Sequence, residues 1–191
     1  MKAAGLMLVA VILGLLAVQG SYALWNTAAS ASMGTVTAAD FRVTLGDAPS
    51  GTVTDMTLPN GTAASLSLST TPAGTLVPGR PVYAGVQLGN VTNAGGAFTL
   101  RAAVASGPTA TDGGSGLAGY LTVKSVAATS ASQCSDASLY TSVLPTDLPS
   151  TTIAKGASGV FCFQAALDPA TPASLSGTTA GISIPLSVTQ L

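Results

Sequence analysis

The chain has no histidine and no glutamate, and only 7% of its 191 residues are charged. The missing imidazole excludes the Ser/His and Cys/His nucleophile systems and the His-Glu-x-x-His metal site. The six Lys and Arg are scattered, so no basic cluster exists to bind nucleic acid or an anionic membrane. Two cysteines without histidine offer too few soft ligands for zinc. Isolated aspartates such as Asp112 and Asp136 read as turn residues rather than catalysts. No catalytic role, cofactor or metal is expected. Glutamate, lysine and arginine are also strong helix formers, and their scarcity leaves a chain dominated by Thr, Val, Ser and Gly. That balance favours strands and turns over helices. Disorder would be poor in hydrophobic residues, whereas 47% of this chain is hydrophobic and much of it alternates.

What is present begins at the N-terminus. Lys2 precedes an apolar run from Ala3 to Val18, followed by Gln19-Gly20 and Ser21-Tyr22-Ala23. A basic start, a short apolar core and a small-x-small exit describe a secretory signal peptide, adopted as a signal helix. The run is 16 residues, short for a hydrocarbon core of about 30 Å. Residues 1–23 are therefore the expected signal, with cleavage between Ala23 and Leu24. The alternative is an uncleaved anchor, the one expected route to a membrane. Removing the signal leaves 168 residues, enough for one domain with a core, carrying five cationic side chains against seven aspartates. A net charge of −2 gives little repulsion between copies.

Along the mature chain, residues 24–45 read as two strands divided at Gly34, with Phe41, Val43 and Leu45 on one buried face. Residues 46–51 form a turn cluster, and Val53, Leu58, Leu66 and Leu68 mark weaker strands. Val82, Ala84, Val86 and Leu88 alternate with Tyr83, Gly85 and Gln87, and after Asn93-Ala-Gly-Gly96 the residues Phe98, Leu100 and Ala102 alternate again. Two such runs form either a hairpin or an arch between sheets. Residues 106–119 read as a flexible loop without the Gly-Lys-Ser/Thr of a phosphate cradle. Strands are expected at 120–126, 160–167 and 182–191, with a loop-rich stretch between 130 and 158. Pro185 removes a ladder donor, so the last strand should lie at an edge or carry a bulge. Eight or nine strands and no confident helix predict an all-β fold, an antiparallel β-sandwich of jelly-roll type over residues 24–191.

Cys134 and Cys162 are an even pair in a chain with an export signal, which is most simply a disulfide. It would fasten the 130–158 loop to the 160–167 strand. Two free thiols are the alternative.

Several motifs resemble a known family. Gly20-Ser-Tyr-Ala-Leu-Trp-Asn-Thr27 is similar to the signal class processed by SipW-type signal peptidases. Gly34-Thr-Val-Thr-Ala-Ala-Asp-Phe-Arg-Val43, Leu76-Val-Pro-Gly-Arg80 with Val86-Gln-Leu-Gly-Asn90, and Ile184-Pro-Leu-Ser-Val-Thr-Gln190 follow in the order found in the TasA/CalY (camelysin) family and in actinobacterial alternate signal-mediated exported proteins. The cysteine pair sits where actinobacterial members often have one. Asp40 and Leu24 depart from the family pattern, which has glycine and an aromatic there. The resemblance implies a secreted jelly-roll protein of the cell surface or biofilm matrix, handled by a signal peptidase and able to self-associate into fibres. In TasA-like fibres a subunit's N-terminal strand completes the sheet of its neighbour. Here residues 24–33 are the candidate donor strand and Trp25 its anchor, because one large aromatic contributes more on burial than several alanines. The competing expectation is a secreted or surface-attached binding module, an adhesin acting as a monomer.

Overall fold

The computed structural model describes residues 40–191 except 49 and 74. Ten strands account for its regular structure: β1 (Val43–Asp47), β2 (Val53–Asp55), β3 (Val82–Asn90), β4 (Leu100–Val104), β5 (Thr109–Thr111), β6 (Leu121–Ala128), β7 (Ser150–Ile153), β8 (Ser158–Leu167), β9 (Gly181–Ser183) and β10 (Leu186–Gln190). Every strand pairing is antiparallel, and the helical residues are confined to four short 3-10 turns. The described residues are all-β, as the composition predicts. Strands join in a five-stranded sheet ordered β2-β1-β3-β8-β6, a three-stranded sheet ordered β10-β4-β7, and a β5-β9 pair.

The alternation seen in the sequence becomes the inner face of the five-stranded sheet. Val43 and Leu45 from β1, Val86 and Leu88 from β3, and Phe161 and Phe163 from β8 are buried in one cluster. The same cluster holds Leu100, Ala102 and Val104 from β4 and Ile153 from β7. Each of these Val, Leu, Ile and Phe side chains contributes roughly 1.5–3 kcal/mol on full burial. Gly159 on β8 lets β7 come close, since a Cβ there would stand 2.9 Å from Thr151 and 3.0 Å from Ile153.

The stretch after β3 resolves the choice between hairpin and arch. β3 pairs with β1 and β8, and β4 belongs to the other sheet, so residues 91–99 are a crossover. Asn90, wholly buried, clasps it: its amide nitrogen donates to the Phe98 carbonyl (3.0 Å) and the Ile153 carbonyl (3.2 Å). The Lys155 ammonium donates to the Ala94 carbonyl of the same crossover.

Other expectations need correction. Phe41 precedes β1 and is half exposed, because the ladder with β3 starts at Val43. Gly46 and Asp47 belong to β1, and the turn starts at Ala48. Residues 106–119 contain β5 and the start of a 3-10 turn, Leu117–Tyr120, since Thr109–Thr111 finds a partner in β9 far along the chain. Pro185 divides the final stretch: β9 ends at Ser183, and β10 runs from Leu186 along the edge of the three-stranded sheet. Leu58, Leu66 and Leu68 lie outside the strands.

Candidate functional site

Two places gather unusual chemistry. The first lies on the outer face of the five-stranded sheet. Cys162 alternates with Phe161 and Phe163, so it points away from the core they fill. The residue opposite it on β3 is Gly85. Cys134, in the 3-10 turn Ala131–Ser135, reaches down and joins it in the expected disulfide, with Cα atoms 4.8 Å apart. The bridge fastens the turn to the middle of β8. Gly85 makes the room: a Cβ there would lie 2.7 Å from the Cys134 sulfur and 3.1 Å from the Ala48 Cβ.

The turn is further fixed by polar bonds. The Gln133 side-chain oxygen accepts from the Thr129 and Ser130 backbone N–H groups at 2.9 and 3.2 Å. Asp136 caps the next 3-10 turn, Ala137–Tyr140, by accepting from Ser138 N–H at 2.9 Å. That bonding, led by the Ser138 hydroxyl, holds the Asp136 carboxyl below its ordinary pKa. The two turns form a flap over residues 131–140, and Tyr140 ends it almost fully buried, its hydroxyl donating to the Cys134 carbonyl at 2.8 Å. Burial pushes its phenol pKa upward, with Tyr83 adding to the shift, so it stays protonated. Its ring centre lies 5.6 Å from that of Tyr83. The Lys124 ammonium donates to the Tyr140 carbonyl at 2.9 Å. This is a structural latch, with a recess of about 230 Å³ beside it lined by Tyr83, Gly85, Ser132 and Cys134.

The second place is a groove of about 750 Å³. Its floor is the inner face of the five-stranded sheet: Leu45, Val82, Val86, Val123, Phe163 and Ala165. It is also bounded by residues 63–68 and Thr70, and by Ala180 with residues 182–186. Among the described residues no charged side chain lines it. Residues 64–70 have the side-chain pattern of a strand, with Ala64, Leu66, Leu68 and Thr70 half-buried and Ser65, Ser67 and Ser69 exposed. Among the described residues they nevertheless join no ladder. Ala64 N–H donates to the Met56 carbonyl and Thr71 exchanges bonds with Tyr83, while among the described residues Ser65 to Leu68 donate no backbone hydrogen bond. On the other side, β10 pairs with β4 alone among the described residues. Among the described residues nothing pairs with these backbone groups, which border an apolar floor.

Asp47 ties this rim to β1. It is buried, its carboxylate accepting from Ser69 N–H (3.1 Å), the Ser69 hydroxyl (2.7 Å) and Ser50 N–H (3.3 Å). Burial alone would raise its pKa; the bonds from Ser50 and Ser69 together outweigh burial and hold it below the ordinary carboxylate value. Asp112 braces a turn, accepting from Ala118 N–H at 2.8 Å and Gly114 N–H at 2.9 Å, the bond from Ala118 doing most to lower its pKa.

Of the residues singled out in the sequence, Cys134 and Cys162 are brought together. Ala23, Leu24 and Trp25, and the whole candidate donor strand 24–33, lie outside the described residues. Gly85, Tyr140 and Asp47 escaped sequence reasoning, because each owes its role to a partner distant in the chain. The alternation Ala-Ser-Leu-Ser-Leu-Ser-Thr70 was visible, but not that no described residue forms a ladder with it. Among the described residues no group of three His, Cys, Asp or Glu is placed to hold a metal, and no helix is long and apolar enough to cross a membrane. No protein-family model matches this chain, and no curated protein is significantly similar to it.

Proposed function

We propose that this chain is an exported structural protein of the cell surface or biofilm matrix, resembling the TasA/CalY family, whose copies join by strand donation. The two larger sheets are then the layers of a sandwich of jelly-roll type, incomplete at the groove. Residues 24–33 of one copy occupy the groove of the next. A signal peptidase frees Leu24, and the protein acts outside the cell, where a disulfide persists.

The observation that carries this reading is the groove beside residues 64–70, an extended segment with an apolar floor and no ladder partner among the described residues. An added strand would supply main-chain hydrogen bonds and set alternate side chains against Leu45, Val86 and Phe163. The donor suits it in charge, since no side chain of residues 24–33, Leu-Trp-Asn-Thr-Ala-Ala-Ser-Ala-Ser-Met, is charged and the one charge is the freed α-ammonium at its end. It also suits it in size: its many small side chains pass between the rims, and Trp25 is the one bulky anchor.

The test is electron microscopy of the mature protein, residues 24–191, beside a truncation starting at Gly34. Filaments from the first and folded monomers from the second are expected. Normal filaments from the truncation would defeat the reading.

A further inference from the structure

Two stretches of the chain carry the pattern Asn-x-Ser/Thr: Asn60-Gly61-Thr62 and Asn90-Val91-Thr92. In an exported chain that pattern is the acceptor for transfer of a sugar to the asparagine side chain. The motif alone does not decide which copy can react, but the fold separates them. Asn90 is closed. It is wholly buried, and its amide nitrogen already donates to the Phe98 and Ile153 carbonyls. Thr92 beside it is 4% exposed. No enzyme reaches this nitrogen while the protein is folded.

Asn60 stands at the other extreme. Every residue from Thr57 to Ala63 is exposed. Thr57 and Ala63 form an antiparallel bridge, and the chain turns between them. Gly61 N–H donates to the Leu58 carbonyl and Leu58 N–H to the Thr62 carbonyl, both at 2.8 Å. Pro59 supplies the fixed φ that the second position of this turn needs, and Gly61 takes the left-handed φ of 81° that closes it. The tip is thus shaped by its own bonds and stands clear of the core. The Asn60 side chain folds over it. Its Oδ1 accepts from the Thr62 N–H at 3.1 Å and from the Thr62 hydroxyl at 2.7 Å. A backbone N–H can only donate, so the atom facing it is the amide oxygen, and the amide nitrogen is turned away from Thr62. Among the described residues that nitrogen donates to nothing.

We infer that Asn60 is a site of N-linked glycosylation, accepting a sugar activated at its anomeric carbon by a phosphate ester. The two hydrogen bonds into Oδ1 draw charge onto the oxygen and make the Nδ2–H more acidic. A base of the transferase takes one Nδ2 proton. The nitrogen pair forms the bond to the anomeric carbon, the bond from that carbon to the phosphate oxygen breaks, and the phosphate leaves with its electron pair. Nothing is oxidised or reduced, and Asn60 keeps one N–H. Thr62 is a positioning residue, acting through Oδ1. A lipid-linked pyrophosphate sugar and a nucleotide sugar present the same chemistry to this nitrogen. Residues 57–62 do not line the groove, so a sugar here leaves strand donation unobstructed and the two readings stand apart. In a chain with only 7% charged residues, a bulky polar group on this turn adds hydration beside the exposed Leu58.

The test is mass spectrometry of intact glycopeptides from the protein isolated from its own cells, secreted and cell-bound fractions alike. A glycan mass is expected on the peptide that holds Asn60 and none on the peptide that holds Asn90. Intact glycopeptides are read because Asn60 precedes a glycine, and spontaneous deamidation there would imitate enzymatic removal of a sugar. A preassembled oligosaccharide identifies a lipid-pyrophosphate donor and a single sugar identifies a nucleotide donor; both support the assignment. Asn60→Gln and Thr62→Val should each abolish the modification, and Thr62→Ser should retain it. All three lie on an exposed turn, so far-UV circular dichroism should stay native. Filaments, formed or not, leave these readings unchanged. Bare Asn60 in both fractions would overturn the inference, as would a glycan that survives Thr62→Val or one found on Asn90.

Discussion

On its inner face the five-stranded sheet buries Leu88, Phe161 and Phe163 against Leu100, Ala102 and Ile153. On its outer face the same strands carry Gly85, Tyr83 and Cys162 beneath the 3-10 turns of residues 131–140. The inner layer is held by apolar burial spread over many side chains, none indispensable in its chemistry. The outer flap contributes no strand. It is held by one covalent bond, one buried phenol and one lysine, each with a named partner. Burial needs only the right period and size, whereas the flap needs particular atoms at particular places.

The largest effect should come from the inner face. Phe161→Ala removes a wholly buried ring from the cluster shared by both sheets, and a loss of about 3–5 kcal/mol is expected in denaturant unfolding. A much smaller loss would mean that the outer face carries more of the fold than the comparison allows. Removing the bridge should come next. Cys134→Ala with Cys162→Ala opens a loop of 28 residues and should cost about 3–4 kcal/mol on the chain-entropy account. Far-UV circular dichroism should stay native while the near-UV signal of Tyr83 and Tyr140 changes; loss of both would erase the distinction between the faces.

Gly85→Ala sharpens the contrast through coupling. In the oxidised protein its methyl meets the Cys134 sulfur, and a cost of about 1–3 kcal/mol is expected. In the double-alanine background much of that cost should vanish, because the sulfur is gone. Equal costs in both backgrounds would show that Ala48, not the bridge, is the obstacle.

The smallest effect concerns pH. The Asp47 pKa is depressed in the fold, so its contribution is present above the unfolded value of about 3.9 and is lost as pH falls through the lower folded value. Asp47→Asn should reduce stability near neutrality and flatten the acid limb of the stability–pH profile. An unchanged acid limb would show that the Ser50 and Ser69 bonds do not depend on the charge.

Much of the inner layer was legible because its information is local. The alternation through Val82–Leu88, Leu100–Ala102 and Val160–Leu167 fixes which side chains turn inward whatever the strands pair with. Pairing is not local. β3 lies beside β8, some eighty residues on, and nothing in either strand names the other. Residues 64–70 illustrate the limit from the opposite side: a strand's period without a ladder among the described residues. The cysteines were legible as a pair, but Gly85 read as one more glycine until the sulfur above it was placed.

The bridge also has a mechanical meaning. In the role proposed above, the chain would be pulled as well as folded. Cys134 and Cys162 enclose 28 residues of sequence separation, which at full extension would release roughly 95 Å of chain. While oxidised, that length is withheld from any load applied through the ends of the chain: tension passes across the sulfurs and bypasses the flap and β7. The flap is shielded from force by the same bond that fastens it down, and an oxidised molecule drawn out by its termini stops short of a reduced one by that length.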